Sequence, residues 1–167
     1  MTSSQENIKS WLKDKYNLGF VLLLVCAFIV RLYFFLQTQG QTFWWDEAEY
    51  LATAKHWAFG VPYDVNVQRP QLFQLLAVPL LKLGLGEEAL KFLLVLVPSV
   101  IVVACIYFLC KELFNKKVAL IAAFASSFVW SILFWSVRFQ PDYFSLTFQL
   151  LAFLVFWKLF KTDKRSY

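Results

Sequence analysis

The stretch Leu72-Phe73-Gln74-Leu75-Leu76-Ala77-Val78-Pro79-Leu80-Leu81-Lys82-Leu83 decides the fold, because its status as a membrane crossing or a surface helix sets the sidedness of everything after it. Twelve helical residues rise about 18 Å, well short of a hydrocarbon core of roughly 30 Å. Pro79 and Lys82 interrupt the run, and Gly84 and Gly86 close it. It reads as an interfacial or re-entrant helix.

The chain around this stretch has the composition of a bilayer protein. Of 167 residues, 60% are hydrophobic, 20% aromatic and only 16% charged, beyond what a soluble domain of this length needs. The expectation is an all-α integral membrane protein, a multi-span helical bundle with a long outer loop of juxtamembrane helices. The net charge of +5 sits on basic residues clustered at segment ends, where they set topology. They form no stripe suited to phosphate backbones, so nucleic acid is not an expected partner. Cys26, Cys105 and Cys110 lie within or at the ends of apolar runs and read as small buried hydrophobes.

Walking outward gives an amino-terminal segment 1–16, spans at 17–37, 88–110, 118–136 and 143–160, an outer loop 38–87, an inner loop 111–117, an outer turn 137–142 and a tail 161–167. The spans are about twenty residues each, enough to cross. The first could instead be a cleaved signal, but it is long, contains Arg31 and lacks a small-residue cleavage pattern before Phe43 and Trp44. With the amino terminus cytoplasmic, Lys9, Lys13 and Lys15, then Lys111, Lys116 and Lys117, then Lys161, Lys164 and Arg165 all fall inside. Counting Leu72–Leu83 as a span would move the middle cluster outside. The four-span reading therefore puts Asp46, Glu47, Arg138 and Asp142 on one outer face.

That face carries Trp44-Trp45-Asp46-Glu47-Ala48-Glu49-Tyr50, three carboxylates among interfacial aromatics. Adjacent carboxylates cannot point the same way on a helix, so one of Asp46 and Glu47 faces a cavity while the other caps or pairs locally. A plain N-cap role for Asp46 fits a helix from Glu47 to Phe59 ending at Gly60 and Pro62 equally well. Arg138 either offers its donors to a phosphate or snorkels and pairs with Asp142 four residues on. Arg31 reads as a snorkelling residue near the outer end of its span. His56, the one histidine, reads as an interfacial helix residue rather than a metal ligand.

The order of these features resembles the amino-terminal portion of a GT-C glycosyltransferase. A first span ends in Arg31-Leu32-Tyr33, and Asp46-Glu47-Ala48-Glu49-Tyr50 and Gly60 follow. Pro70 then precedes a short helix closing at Leu83-Gly84, and Lys91 opens a span. Within that superfamily the chain is most similar to the protein mannosyltransferase and aminoarabinose transferase group, and the resemblance runs from about Leu18 to Phe160.

The resemblance implies a sugar donor carried on polyprenyl or dolichyl phosphate, and a protein, lipid or glycan acceptor on the outer or lumenal face. It implies Asp46 as catalytic acid/base with Glu47 as its acidic neighbour, and inversion at the anomeric centre. Arg138 would hold phosphate, and Asp142 would shape the acceptor site or bind a divalent cation. Tyr50, Arg69 and Lys91 complete the expected substrate-binding set. Three departures stand out. Gln68 occupies a position where some relatives carry a metal-binding acid, which puts metal dependence in doubt. Lys91 replaces a usual arginine and loses its bidentate fork. The chain is also shorter than such enzymes, which generally continue through further spans. A non-catalytic four-span scaffold and a transporter subunit are the competing classes. The second would more naturally carry ionisable residues or paired breaks within its spans, where only Pro98 interrupts here.

Overall fold

The computed structural model describes Trp11 and residues 13–163. Lys9, Lys164 and Arg165 of the expected inner clusters lie outside the described residues. Among the described residues the fold is helical throughout, with no strand. The elements are α1 (Lys15–Gln37), α2 (Trp45–Phe59), α3 (Gln71–Lys82), α4 (Glu87–Leu113), α5 (Lys116–Phe128), α6 (Trp130–Trp135) and α7 (Asp142–Asp163). By length and composition α1, α4 and α7, the last over Asp142–Thr162, are long and apolar enough to cross a membrane. The Leu72–Leu83 stretch forms a helix of 12 residues, Gln71–Lys82.

Each boundary has a local cause. Asp14 starts α1 by accepting the Tyr16 N–H at 2.9 Å, and its other oxygen takes the Lys116 ammonium, tying the start of α1 to the start of α5. Asn115 caps α5 through the N–H groups of Lys117 and Val118. Gly60 ends α2 at φ 72°, the left-handed conformation in which a side chain is strained. Within α4, Pro98 has no N–H for the Leu94 carbonyl, and its ring crowds that turn. The ladder widens to a π turn over Phe92–Leu96, with the Val97 N–H bonded to the Phe92 carbonyl.

The stretch expected as one span at 118–136 is divided. It runs as α5 to Phe128, turns extended at Val129 (φ −62°, ψ 126°), and resumes as the six-residue α6. Ser126 and Ser127 both donate their hydroxyls back to the Ala123 carbonyl, a pattern that bends helices. The carbonyls freed at the break are met by Arg31, whose Nη2 donates to Ser126 O at 3.1 Å and Nη1 to Ser127 O at 3.3 Å. Arg31 is 0% exposed, so the snorkelling reading of this residue is corrected. Stopping the neighbouring helix inside the bundle, where lipid offers no hydrogen bond, requires a buried donor.

Packing inside the spans depends on close approach, because lipid is as apolar as the helices themselves. Ala27 of α1 and Ala119 and Ala123 of α5 are fully buried together with Val103 of α4, and Phe20 stacks on Tyr107 at 4.0 Å. A second core joins α2 and α3 to the long helices. Tyr50, Leu51 and Ala54 of α2 and Phe73 and Ala77 of α3 pack with Leu94, Phe139 and Tyr143. Helices α2 and α3 are thus clamped onto the amino-terminal ends of α4 and α7.

Candidate functional site

The site is built where α2 begins. Position three of α2 is Glu47, whose Oε2 accepts the Trp44 N–H at 2.9 Å, the reciprocal half of a capping box. Its Oε1 accepts the Phe139 backbone N–H at 2.6 Å, and Arg138 Nη1 stands 3.6 Å from Oε2. Glu47 is 1% exposed. The two oxygens of one buried carboxylate thus stitch the start of α2 to the turn before α7, across 92 positions of sequence.

Asp46 points elsewhere, as adjacent helical positions must. Its side chain remains 43% accessible, and its Oδ1 accepts from Arg69 Nη2 at 2.6 Å. Oδ2 has no hydrogen-bond partner among the described residues. Arg69 also donates from Nε to Glu49 at 2.8 Å, so residues 46 and 49, one turn apart on α2, grip the same guanidinium. Asn66 donates to the other Glu49 oxygen at 3.0 Å. The Asn66 and Arg69 hydrogen bonds hold the Glu49 carboxyl below its ordinary range, while the Glu49 bond first, and Asp46 with it, raise Arg69 further. The Arg69 guanidinium lies 5.8 Å from the centre of the Tyr50 ring, and burial pushes the Tyr50 hydroxyl up, with Asp46 and Asp142 near enough to add to the rise. Lys55 pairs with Glu87 at 2.6 Å and closes the loop from α2 to α4.

The remaining expected site residues are placed less uniformly. Arg138 is stacked, 4.2 Å from the Trp44 ring and 5.1 Å from Phe134, and its Nε has no partner among the described residues. It borders a cavity of about 160 Å³ with Thr38, Gln41 and Phe134. Its ion-pair partner is Glu47, not Asp142. Asp142 instead lines a separate, larger cavity of about 460 Å³ with Gln140, Trp135, Tyr143, Val102 and Ile106. Lys91 is 5% exposed, its ammonium 4.3 Å from the Phe43 ring and 3.4 Å from Glu88. His56 bonds the Val61 carbonyl at 2.8 Å through Nδ1, beyond the end of α2.

A divalent cation does not fit the residues present. Arg69 already engages both Asp46 and Glu49, and the described residues hold no group of three or more His, Cys, Asp or Glu side chains arranged for a metal ion. Glu49, Asn66 and Trp44 are the participants that sequence reasoning gave no role. The Asp46 and Glu49 spacing was a legible signal for the first, whereas the other two depend on loop geometry.

One end of the bundle therefore presents an accessible carboxylate beside a guanidinium, on α2 and the loop that leads into α3, packed against the long apolar helices. Such an arrangement defines an integral membrane protein with a charged site at one end of its helices. Residues 68–167 match the family described as dolichyl-phosphate-mannose-protein mannosyltransferase, and the chain belongs to that family. Membership makes it a membrane glycosyltransferase of the GT-C type. Arg69, Lys91, Arg138 and Asp142 fall inside the matched region, while Asp46, Glu47 and Tyr50 precede it. Neither curated proteins nor solved structures yield a match to the chain.

Proposed function

We propose that this chain supplies the acid/base end of an enzyme that moves a sugar from a polyprenyl or dolichyl phosphate to an acceptor on the outer or lumenal face. Asp46 takes the proton from the acceptor hydroxyl. That oxygen bonds to the anomeric carbon, the bond from carbon to the phosphate oxygen breaks on the opposite side, and the configuration inverts. The lipid phosphate leaves with its added negative charge, and the guanidiniums on this face stabilise it. Arg138 Nε makes no hydrogen bond to any described residue. Glu47 acts as a positioning residue.

The observation that carries the reading is the division of labour between neighbours. Glu47 is buried with both oxygens engaged, whereas Asp46 is accessible and keeps one oxygen unbonded. The sidedness belongs to the same proposal, with the amino terminus inside and the chain crossing four times, the third time through α5 and α6. The test is sugar transfer from a polyprenyl-phosphate donor by the full-length protein carrying Asp46→Asn. Transfer falls by about two to four orders of magnitude if Asp46 is the base. Transfer at the unsubstituted rate overturns the assignment.

A further inference from the structure

At the opposite end of the bundle from Asp46, a groove lies between α4 and α7. Leu109 and Leu113 of α4 and Leu150, Phe153, Phe156 and Trp157 of α7 line about 430 Å³ of it, with no polar surface in the lining. Directly beyond, toward the helix ends, a second hollow of about 320 Å³ is lined by Glu112, Lys158, Lys161 and Thr162. The two hollows share the same pair of helices and follow one another in register, positions 109 and 113 beside 112 on α4, and 153, 156 and 157 beside 158, 161 and 162 on α7. The result is a single slot, oily along its length and cationic at its mouth.

Two features at the junction lack partners. Lys158 forms no ion pair with any described residue, while Lys161 alone takes Glu112, at 3.1 Å. Two ammonium groups against one carboxylate leave the mouth with a net positive charge. The Trp157 indole N–H, at the boundary of the oily and charged parts, is buried with no acceptor among the described residues. A buried donor that is left unmet is costly, and an acceptor supplied by an occupant removes that cost.

We infer that this slot holds one anionic phospholipid of the leaflet on the basic side of the protein. An acyl chain lies along Leu109, Phe153 and Phe156, an ester or phosphate oxygen accepts from Trp157 Nε1, and the headgroup phosphate sits between Lys158 and Lys161. Charge complementarity selects the occupant. A zwitterionic lipid would meet the same oily wall but would gain less from the two ammonium groups. This lipid is separate from the sugar carrier, which would engage the Asp46 face at the other end of α4 and α7.

The experiment uses the full-length protein in nanodiscs of phosphatidylcholine containing one-tenth phosphatidylglycerol, with retained lipid counted by native mass spectrometry after release. The unsubstituted protein is expected to retain one phosphatidylglycerol in preference to phosphatidylcholine. Lys158→Gln and Lys161→Gln should each weaken that preference about fivefold. Lys117→Gln, which removes a lysine at the same end but outside the slot, should leave it unchanged. Equal weakening by Lys117→Gln, or no preference in the unsubstituted protein, overturns the inference. A photoreactive residue in place of Phe156 gives a second reading that does not depend on charge. Cross-linking to phospholipid supports the proposal, and cross-linking only to protein shows that a polypeptide covers the groove and overturns it.

Discussion

The Glu47 carboxylate accepts the backbone N–H of Phe139 at 2.6 Å, and this bond fixes the turn before α7 against the first turn of α2. A charge-assisted bond to a buried backbone donor is stronger than a neutral one and also sets direction, because the carboxylate must lie in line with the N–H. Glu47→Ala strands three donors, the Trp44 and Phe139 amides and the Arg138 guanidinium. We expect a loss of about 3–5 kcal/mol in stability. Glu47→Gln keeps a single acceptor oxygen for two backbone donors and should cost about 1–3 kcal/mol. Thermal unfolding in detergent measures both, and an Ala variant no less stable than the Gln variant would contradict this account.

Arg138 depends on shape as well as charge. Its flat guanidinium rests against Trp44 and Phe134, which an ammonium cannot reproduce. Arg138→Lys should therefore cost about 1 kcal/mol of stability and lower sugar transfer despite the retained charge. Trp44→Ala should lower stability through the same stack, and a double-substitution cycle should show the two to be non-additive. Strict additivity would mean that the stack contributes nothing.

Arg31 supplies the carbonyl partners at the break between α5 and α6. Arg31→Met fills similar space but leaves the Ser126 and Ser127 carbonyls unmet, at about 1–3 kcal/mol each. Hydrogen exchange should quicken at Ile132 and Leu133, whose N–H groups bond Val129 just past the break. Exchange confined to α1 would show that Arg31 does not hold the break.

The pairing of Glu49 with Asn66 and Arg69 gives the loop between α2 and α3 a pH dependence with a definite sign. The carboxyl is held below its unfolded value of about 4.3, so the stabilisation is complete above that pH and is lost as pH falls through the lower folded value. Limited proteolysis of residues 60–70 should be slow at pH 6 and accelerate near pH 3. Glu49→Gln should be cleaved faster at pH 6 and respond less to acid.

Sidedness is tested by labelling single cysteines from each side of the membrane. Ala48 is exposed on α2 and suits the outer position. Asn115 caps α5 and would be lost as a cap, so Lys117, exposed two residues on, is the better inner position. Opposite-side labelling is expected, and same-side labelling would remove the shared outer face.

Sequence alone determined the membrane class, the short helix near 72–83, the end of α2 at Gly60 and the long apolar helices, because each depends on local hydropathy, chain length or a backbone preference. Spacing also indicated that Asp46 and Glu47 must point apart. Which of them is buried could not be read locally, since the Phe139 amide that engages Glu47 lies 92 positions away. The same limit hid the break at Val129. Its apolar sequence looks like a continuous span, and only Arg31, 95 positions earlier and folded against it, supplies the hydrogen bonds that let a helix stop there. Hydropathy reports what a segment prefers as its surroundings, whereas buried polar groups are settled by partners that only the tertiary structure brings within reach.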